Sequence, residues 1–393
     1  MQIILFEDKE IKNLYPITLT RPGFDITCGG TNLYNLAKKY FKASPISFIV
    51  RDYIKQTAEQ KYDNPKLRGQ EFLLINASLE PSIDNVREIK KKTIKPGVVL
   101  ENGDRVVAAR LEIKKTRKQV LELGKVQKTK VKLFAYPWDI IVSNKKILPD
   151  NIQYLAPKLK EGLYIGKNVD VSKNVVLDTE NGPIYIGDNT KIFPFVRIEG
   201  PVYIGSNCKI KTFADIKDGT TIADNCKVGG EVEASVIESY SNKQHAGFLG
   251  HAYVGSWVNI GAGTANSDLK NTYGTIKMEI DGQKIDTGLQ FLGCVIGDHS
   301  KTGINTSILT GKTMDVNCNV IGLVADNMPS FTNLTPKGAT EYYLEQAIKV
   351  QKRMFERRDI QQTAADKKLL ADVFKTTARE RKVMKVKKGD VKV

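Results

Sequence analysis

Ile186-Gly187-Asp188-Asn189-Thr190-Lys191-Ile192-Phe193-Pro194-Phe195-Val196-Arg197-Ile198-Glu199-Gly200-Pro201-Val202-Tyr203-Ile204 carries an isoleucine at every sixth position. The step runs on through Ile210, Ile216, Ile222 and Val228. Upstream it is met at Ile165, Val171 and Leu177. Downstream it returns at Phe248, Val254 and Ile260, then at Ile296, Thr302, Ile308, Met314 and Val320. Glycine often follows the apolar residue, as in Ile186-Gly187, Ile204-Gly205 and Ile260-Gly261.

A period of six suits neither an α-helix nor an alternating strand. It suits a triangular prism in which each face is a short strand and each corner a tight turn. Turn positions with positive φ favour Gly, Asn and Asp. One Ile or Val per face then points inward, and stacked coils bury a continuous apolar column. The expected fold over residues 163–324 is a left-handed parallel β-helix. Its register breaks between Val236 and Phe248 and again from about Ala265 to Leu289. Insertions in such solenoids form loops on one face, often the binding face. Prisms of this kind usually assemble side by side as threefold trimers.

Outside the repeat the chain changes character. Residues 1–150 read as a reduced α/β domain, with strands near 2–7, 46–51 and 72–75 and helices near 33–41 and 53–61. Asn102-Gly103 marks a hairpin turn within 97–109. Pro137-Trp138-Asp139 is expected to open the connection to the prism, which occupies 160–325. Residues 336–393 read as a basic helical extension whose lysine-rich end is expected to fray.

The net charge is +16, and residues 337–393 hold 16 Lys/Arg against 8 Asp/Glu. A basic tail can meet a polyanion, but no aromatic-basic module argues for nucleic acid. No stretch approaches the roughly 20 apolar residues of a bilayer span. The start, Met1-Gln2-Ile3-Ile4-Leu5-Phe6, reads as a strand and not as a signal peptide, so a cytoplasmic location is expected. The five cysteines lack metal-ligand spacing; Cys208, Cys226 and Cys318, each after an Asn, read as small buried fillers. The three histidines, His245, His251 and His299, do not have a zinc-binding pattern.

Chemistry concentrates in Lys243-Gln244-His245-Ala246-Gly247-Phe248-Leu249-Gly250-His251-Ala252 and Val254-Gly255-Ser256-Trp257-Val258-Asn259-Ile260-Gly261-Ala262-Gly263-Thr264. From His245 to Thr264 the sequence resembles, without gaps, the acetyltransferase half of bacterial GlmU. That family joins an N-acetylglucosamine-1-phosphate uridylyltransferase to a glucosamine-1-phosphate acetyltransferase. A GlmU-like group of sugar nucleotidyltransferases is closer still, through Ser241-Asn242-Lys243-Gln244-His245, Asn266-Ser267-Asp268-Leu269-Lys270-Asn271 and Lys301-Thr302-Gly303-Ile304.

The resemblance implies acetyl-CoA as acyl donor, His245 as general base and the backbone of Gly261, Ala262 and Gly263 beside the thioester. A histidine titrating near neutrality can take a proton from an amine. Backbone N–H groups can steady a developing oxyanion, although Gly261 and Gly263 also read simply as turn glycines. Asn259 matches a sugar contact, and Asp268 stands where the family has an asparagine. Lys301 and the tail are expected to hold phosphates. Two positions depart: Asp215 and Glu233 replace an arginine and a lysine that bind the sugar phosphate. Lys217, Lys243 and Lys270 are candidates to compensate. Phe248 replaces a tyrosine.

Sugar nucleotidyltransferases open with a strand and a glycine-rich loop ending in Thr-Arg. Here Glu7 to Leu14 has no glycine, and Thr20-Arg21 follows later, making Arg21 the candidate phosphate contact. Asn76-Ala77-Ser78 lacks the metal-binding carboxylate, which puts Mg²⁺ and UTP in question. The expected function is acetyl transfer to an amino-sugar 1-phosphate in a homotrimer, with nucleotidyl transfer as a further capacity of the N-terminal domain. The alternatives are a non-catalytic trimeric scaffold and a nucleotidyltransferase whose prism sets only the assembly.

Overall fold

The computed structural model describes residues 1–112, 125–156 and 158–389. Its contacts define two units. The first comprises Met1–Leu14, Arg21–Thr27 and Thr31–Tyr136; the second comprises Tyr15–Thr20, Cys28–Gly30 and the chain from Pro137 onward.

The first unit is built on a six-stranded sheet in the order Ile46–Ile49, Gln2–Phe6, Glu71–Asn76, Arg105–Glu112, Val98–Asn102, Lys125–Lys128. The first three strands are parallel, and the hairpin around Asn102-Gly103 joins antiparallel. Apolar residues of the central strands, such as Ile3, Leu5, Leu73 and Ile75, are buried because helices cover them. Asn32 and Ser82 cap the helices Leu33–Tyr40 and Ile83–Lys92 by accepting the amides of Asn35 and Asn85.

The second unit contains the left-handed parallel β-helix. Its first face stacks Leu163–Ile165, Ile184–Ile186, Val202–Ile204, Thr220–Ile222, Val236–Ile237, Tyr253–Val254, Val295–Ile296 and Thr313–Met314. The second face stacks Asp170–Val171, Lys191–Ile192, Lys209–Ile210, Lys227–Val228 and Asn242–Lys243. The third stacks Val176–Asp178, Arg197–Glu199, Asp215–Ile216, Glu231–Glu233 and Phe248–Gly250. Registers are exact: Ile186 lies over Ile204, Ile192 over Ile210 and Ile198 over Ile216, all fully buried.

The corners explain the small residues. Asn189, Asn207, Asn225 and Asn317 sit at positive φ, where their short amides tolerate the left-handed region. A Cβ on Gly187 would lie 2.6 Å from the carbonyl carbon of Gly205, so the coils stack this closely only with glycine there. Cys208, Cys226 and Cys318 are buried free thiols, in keeping with their reading as fillers.

Two sequence expectations are corrected. Leu249, not Phe248, enters the core, because Val232 pairs with Leu249 while Phe248 lies outside beside Glu231. The first break is therefore not a loop. The inward step shortens, from Val228 to Val232 and then to Ile237, and the next inward residue is Lys243. The second break does leave the prism, as the antiparallel hairpin Lys277–Ile280 and Gln283–Asp286.

Pro137–Leu155 is a 19-residue helix where only a connection was expected. Pro137 suits the first helical position, whose N–H has no partner within a helix. The helix is bolted to the first face by Asn144. Its amide donates to Gly219 O at 2.7 Å and its oxygen accepts from Thr221 Oγ1 at 2.8 Å. After the prism, the helix Leu344–Glu356 docks through Phe355 on Trp257, ring centroids 4.5 Å apart, with Trp257 stacked on Tyr240. The extension continues as helices Ala364–Thr376 and Ala378–Val383, anchored by Arg381, which pairs with Glu341 at 3.2 Å. Residues 390–393 of the expected frayed end lie outside the described residues.

Ile216→Ala should lower the unfolding free energy by about 2–5 kcal/mol in urea titrations. Val383→Ala, at a position 68% exposed, should change it by no more than about 0.5 kcal/mol.

Candidate functional site at the prism corner

The corner between the second and third faces carries one turn per coil. In chain order the turns hold Phe195, Phe213, Gly230, His245 to Gly247, Gly263 and Asn305. His245 and Ala246 are exposed here. Gly263 N donates to Ala246 O at 2.9 Å, so the 261–263 turn is the next coil under the histidine turn. Asn259 is exposed on the second face, bridged to Asn242 on one side and Lys301 on the other. His245, then Asn259 with Ala262, then Lys301 thus lie on three consecutive coils.

The amides differ from that reading. Gly261 N donates to Thr302 Oγ1 at 2.9 Å and Gly263 N to Ala246 O, so both are engaged inside the chain. Ala262 N makes no hydrogen bond among the described residues. The glycines serve a different need. A Cβ on Gly261 would stand 2.3 Å from Gly303 O, and one on Gly263 would stand 2.1 Å from Asn305 Oδ1. Glycine lets the coils close up and leaves the Ala262 amide at the turn.

Lys243 is a correction. It occupies the inward place over Val228 and is 2% exposed. Its ammonium donates to Gly229 O at 2.8 Å, Gly247 O at 2.7 Å and His245 O at 3.2 Å. A buried cation needs such satisfaction, and this one clasps both ends of the turn that presents His245. It is not a surface cation for a phosphate. Burial pulls its pKa down to about 8, with Glu231 opposing the shift. Lys301 donates to His299 O at 2.6 Å and is likewise pulled by burial to about 8.

Other expected contacts lie elsewhere. Asp268 binds His251, with Nδ1 and Oδ2 2.8 Å apart and Phe291 against the imidazole at 5.5 Å. These three residues join the root of the 267–292 insertion to the corner between the third and first faces. The pairing crosses a coil, and nothing in the spacing announced it. Lys270 donates to Thr275 O within the insertion. Asp215 pairs with Arg197 at 3.3 Å, and Lys217 pairs with Glu231 at 2.5 Å and Glu233 at 3.6 Å. Lys217 therefore compensates those carboxylates and is not free for a phosphate.

In the first unit Arg21 is 4% exposed, and its carbonyl accepts from Arg51 at 3.1 Å. Asn76 is fully buried; its amide donates to Asp8 Oδ2 at 2.8 Å and Val106 O at 2.9 Å, while its oxygen accepts Ser78 N. Asp8 in turn pairs with Arg105 at 2.9 Å. Among the described residues no group of three His, Cys, Asp or Glu could hold a metal ion. Asn76 and Asp8 do not suit a divalent cation, whose hard-oxygen ligands must be free, because the Asn76 oxygen is taken by Ser78 N and the Asp8 carboxylate by Arg105 and Asn76.

Residues 3–158 match the sugar nucleotidyl transferase family, and residues 183–214 match the bacterial transferase hexapeptide repeat. The bifunctional sugar-1-phosphate nucleotidylyltransferase/acetyltransferase of Sulfurisphaera tokodaii is 38% identical over 81 residues, 21% of this chain and 20% of that protein. The bifunctional protein GlmU of Methanocaldococcus jannaschii is 28% identical over 268 residues, 66% of this chain and 58% of that protein. The chain thus spans less than two thirds of either relative. LpxA from Acinetobacter baumannii overlays with a TM-score of 0.31 and 14% identity, over 59% of this chain and 99% of that one. No helix among the described residues is long and apolar enough to cross a membrane.

Lys243 supplies a pH test. Its pKa is near 8 folded and 10.5 in an unfolded chain. Below pH 8 both states hold the proton and the burial cost is fully present. From pH 8 to 10.5 the unfolded state binds more protons, so folding stability rises. The native protein should therefore gain up to about 3 kcal/mol over that range relative to Lys243→Met, measured by denaturant titration of both at each pH.

Proposed function

We propose that this protein transfers an acetyl group from acetyl-CoA to the amine of an amino sugar at the His245 corner of a homotrimer. The observation that carries the reading is the stacking of the exposed His245 turn on the 261–263 turn, which leaves the Ala262 N–H without an internal partner. A base and a backbone donor on adjacent coils suit acyl transfer.

In this reading His245 takes the proton from the acceptor nitrogen as that nitrogen bonds to the acyl carbon. The carbon–sulfur bond breaks, and the thiol sulfur leaves with the electron pair and takes up a proton. The Ala262 N–H steadies the charge that builds on the carbonyl oxygen. In the same reading Asn259 contacts the sugar. The choice of acetyl-CoA as donor is supported by the Sulfurisphaera tokodaii relative, whose name includes acetyltransferase. A histidine clasped through its own carbonyl by Lys243 is held for its task without a further side chain.

The N-terminal unit favours a second, narrower reading. Asn76 is engaged as a donor and Asp8 is paired to Arg105, so neither residue is free to hold a metal ion for nucleotidyl transfer. We infer that this unit binds a nucleotide or sugar phosphate, with Arg21 as a phosphate contact, without consuming UTP.

Release of free CoA, followed with a thiol reagent in the presence of amino sugars, tests the main reading. His245→Ala should lower kcat about 10²–10⁴-fold with an unchanged melting temperature. Equal turnover in the variant would remove the histidine from the chemistry. Pyrophosphate release from UTP, read in parallel, should stay at background.

A further inference from the structure

The second face is neutralised at one end and left charged at the other. Its outer column runs Lys191, Lys209, Lys227, Asn242 and Asn259 in register. Lys191 pairs with Asp170 at 2.7 Å. Lys209 and Lys227, nearer the His245 turn, have no carboxylate partner among the described residues. Lys211 follows the Lys209–Ile210 strand, with its ammonium 4.5 Å from the ring centroid of Phe193, and it too pairs with no carboxylate there.

Two arginines join these lysines from another part of the chain. Phe355 seats the helix Leu344–Glu356 on Trp257, and Arg357 and Arg358 follow directly. Arg358 Nη2 donates to Asn242 Oδ1 at 3.0 Å, which fixes the guanidinium in the row next to Lys227. Its other guanidinium N–H groups have no partner among the described residues. Lys227 feels the crowding: it sits below the ordinary lysine range, from burial first and then from Arg358, Lys209, Arg357 and Lys211. Cations that repel one another without a counter-charge gain from an anion that comes between them. The adjoining third face does not suit that anion, since Asp215, Glu231 and Glu233 line it and Arg197 and Lys217 are already paired with them. Lys301, on the far side of Asn259, is occupied too, its ammonium donating to His299 O.

We propose that Lys209, Lys211, Lys227, Arg357 and Arg358 form a phosphate-binding site, and that its ligand is the phosphorylated form of the amino sugar whose nitrogen reaches His245. The guanidinium of Arg358 presents a planar set of donors that matches phosphate oxygens, and the lysines add point charge around it. Lys227 lies one coil from Asn242, a spacing of about 4.8 Å. His245 follows Asn242 by three residues, no more than about 10 Å along the chain. A single sugar ring with its phosphate ester is of that length. The phosphate then fixes which amine is offered to the base, so a phosphorylated amino sugar is held and a bare one is not. The phosphate site rests on the cation cluster alone; the identity of its ligand rests on acyl transfer at His245.

The test is ligand binding to the full chain, measured apart from turnover. Calorimetry should show glucosamine 1-phosphate binding about tenfold or more tighter than glucosamine, with the difference shrinking as salt rises. Inorganic phosphate should compete with the sugar phosphate. Lys227→Gln with Arg358→Gln should weaken glucosamine 1-phosphate about tenfold or more and leave glucosamine and coenzyme A unchanged. Lys209→Gln with Lys211→Gln should act in the same direction while Arg358 keeps its bond to Asn242, so the site stays testable should the first variant unseat the helix. His245→Ala should bind the sugar phosphate as the native chain does. A chain that holds it without releasing free CoA therefore keeps the phosphate site and refutes the acyl-transfer reading alone. Equal affinity for glucosamine and its phosphate, or sugar-phosphate binding that survives both double variants, would overturn the proposal. Variants that lose coenzyme A while keeping glucosamine 1-phosphate would overturn it as well, by giving these cations to the phosphates of the acyl donor.

Discussion

Everything in the second unit follows from the requirement that each coil seat on the one before it. A β-helix has no second layer, so every coil finds its backbone partners and most of its apolar contacts in its two neighbours. The inward residue of a face must fill the space over its predecessor, as Ile204 does over Ile186 and Ile210 over Ile192. The turns must also be narrow enough for coils to close up, which Gly187 and the left-handed asparagines allow. Loss of either condition at one coil is felt at the next.

Lys243 is the exception that places the candidate site. An ammonium in the apolar column would be costly unless its donors were satisfied. Three carbonyls satisfy it, and two of them belong to the His245 turn. The cation thus exchanges apolar contact for control of a loop that has no strand geometry of its own. The 261–263 turn beneath is shaped by close approach instead, its glycine amides drawn into the coil and that of Ala262 left over. One turn is held by a charge and the next by the absence of side chains, and the two lie on adjacent coils at the candidate corner.

The faces show how one scaffold separates roles. Side chains alternate inward and outward along each short strand, so the outer positions can change without disturbing the column. On the third face the outer positions hold carboxylates partly neutralised by Arg197 and Lys217; on the second they hold lysines. The first face is closed instead by the helix Pro137–Leu155 through Asn144. In the N-terminal unit, Glu7 with Arg51 and Asp8 with Arg105 tie strand ends to neighbouring segments. These carboxylates hold the sheet together.

The sequence alone determined the prism, because stacking forces a strict period on the apolar residues, and it marked the contiguous His245 to Thr264 motif as the candidate site. It also determined the hairpin at Asn102-Gly103 and the helical character of the extension after Pro336, whose signals are local. It did not determine what depends on short steps or on contacts between coils. Phe248 and Leu249 are both apolar, and only the pairing with Val232 decided which one enters the core. Lysine is read as a surface residue until three carbonyls are seen to surround it. The His251–Asp268 pair, the engaged amides of Gly261 and Gly263 and the capture of Lys217 by Glu231 and Glu233 join residues of different coils. Tertiary structure decided these, since a hydrogen bond between coils depends on how many residues each turn consumes, and that number varies where the repeat is least regular.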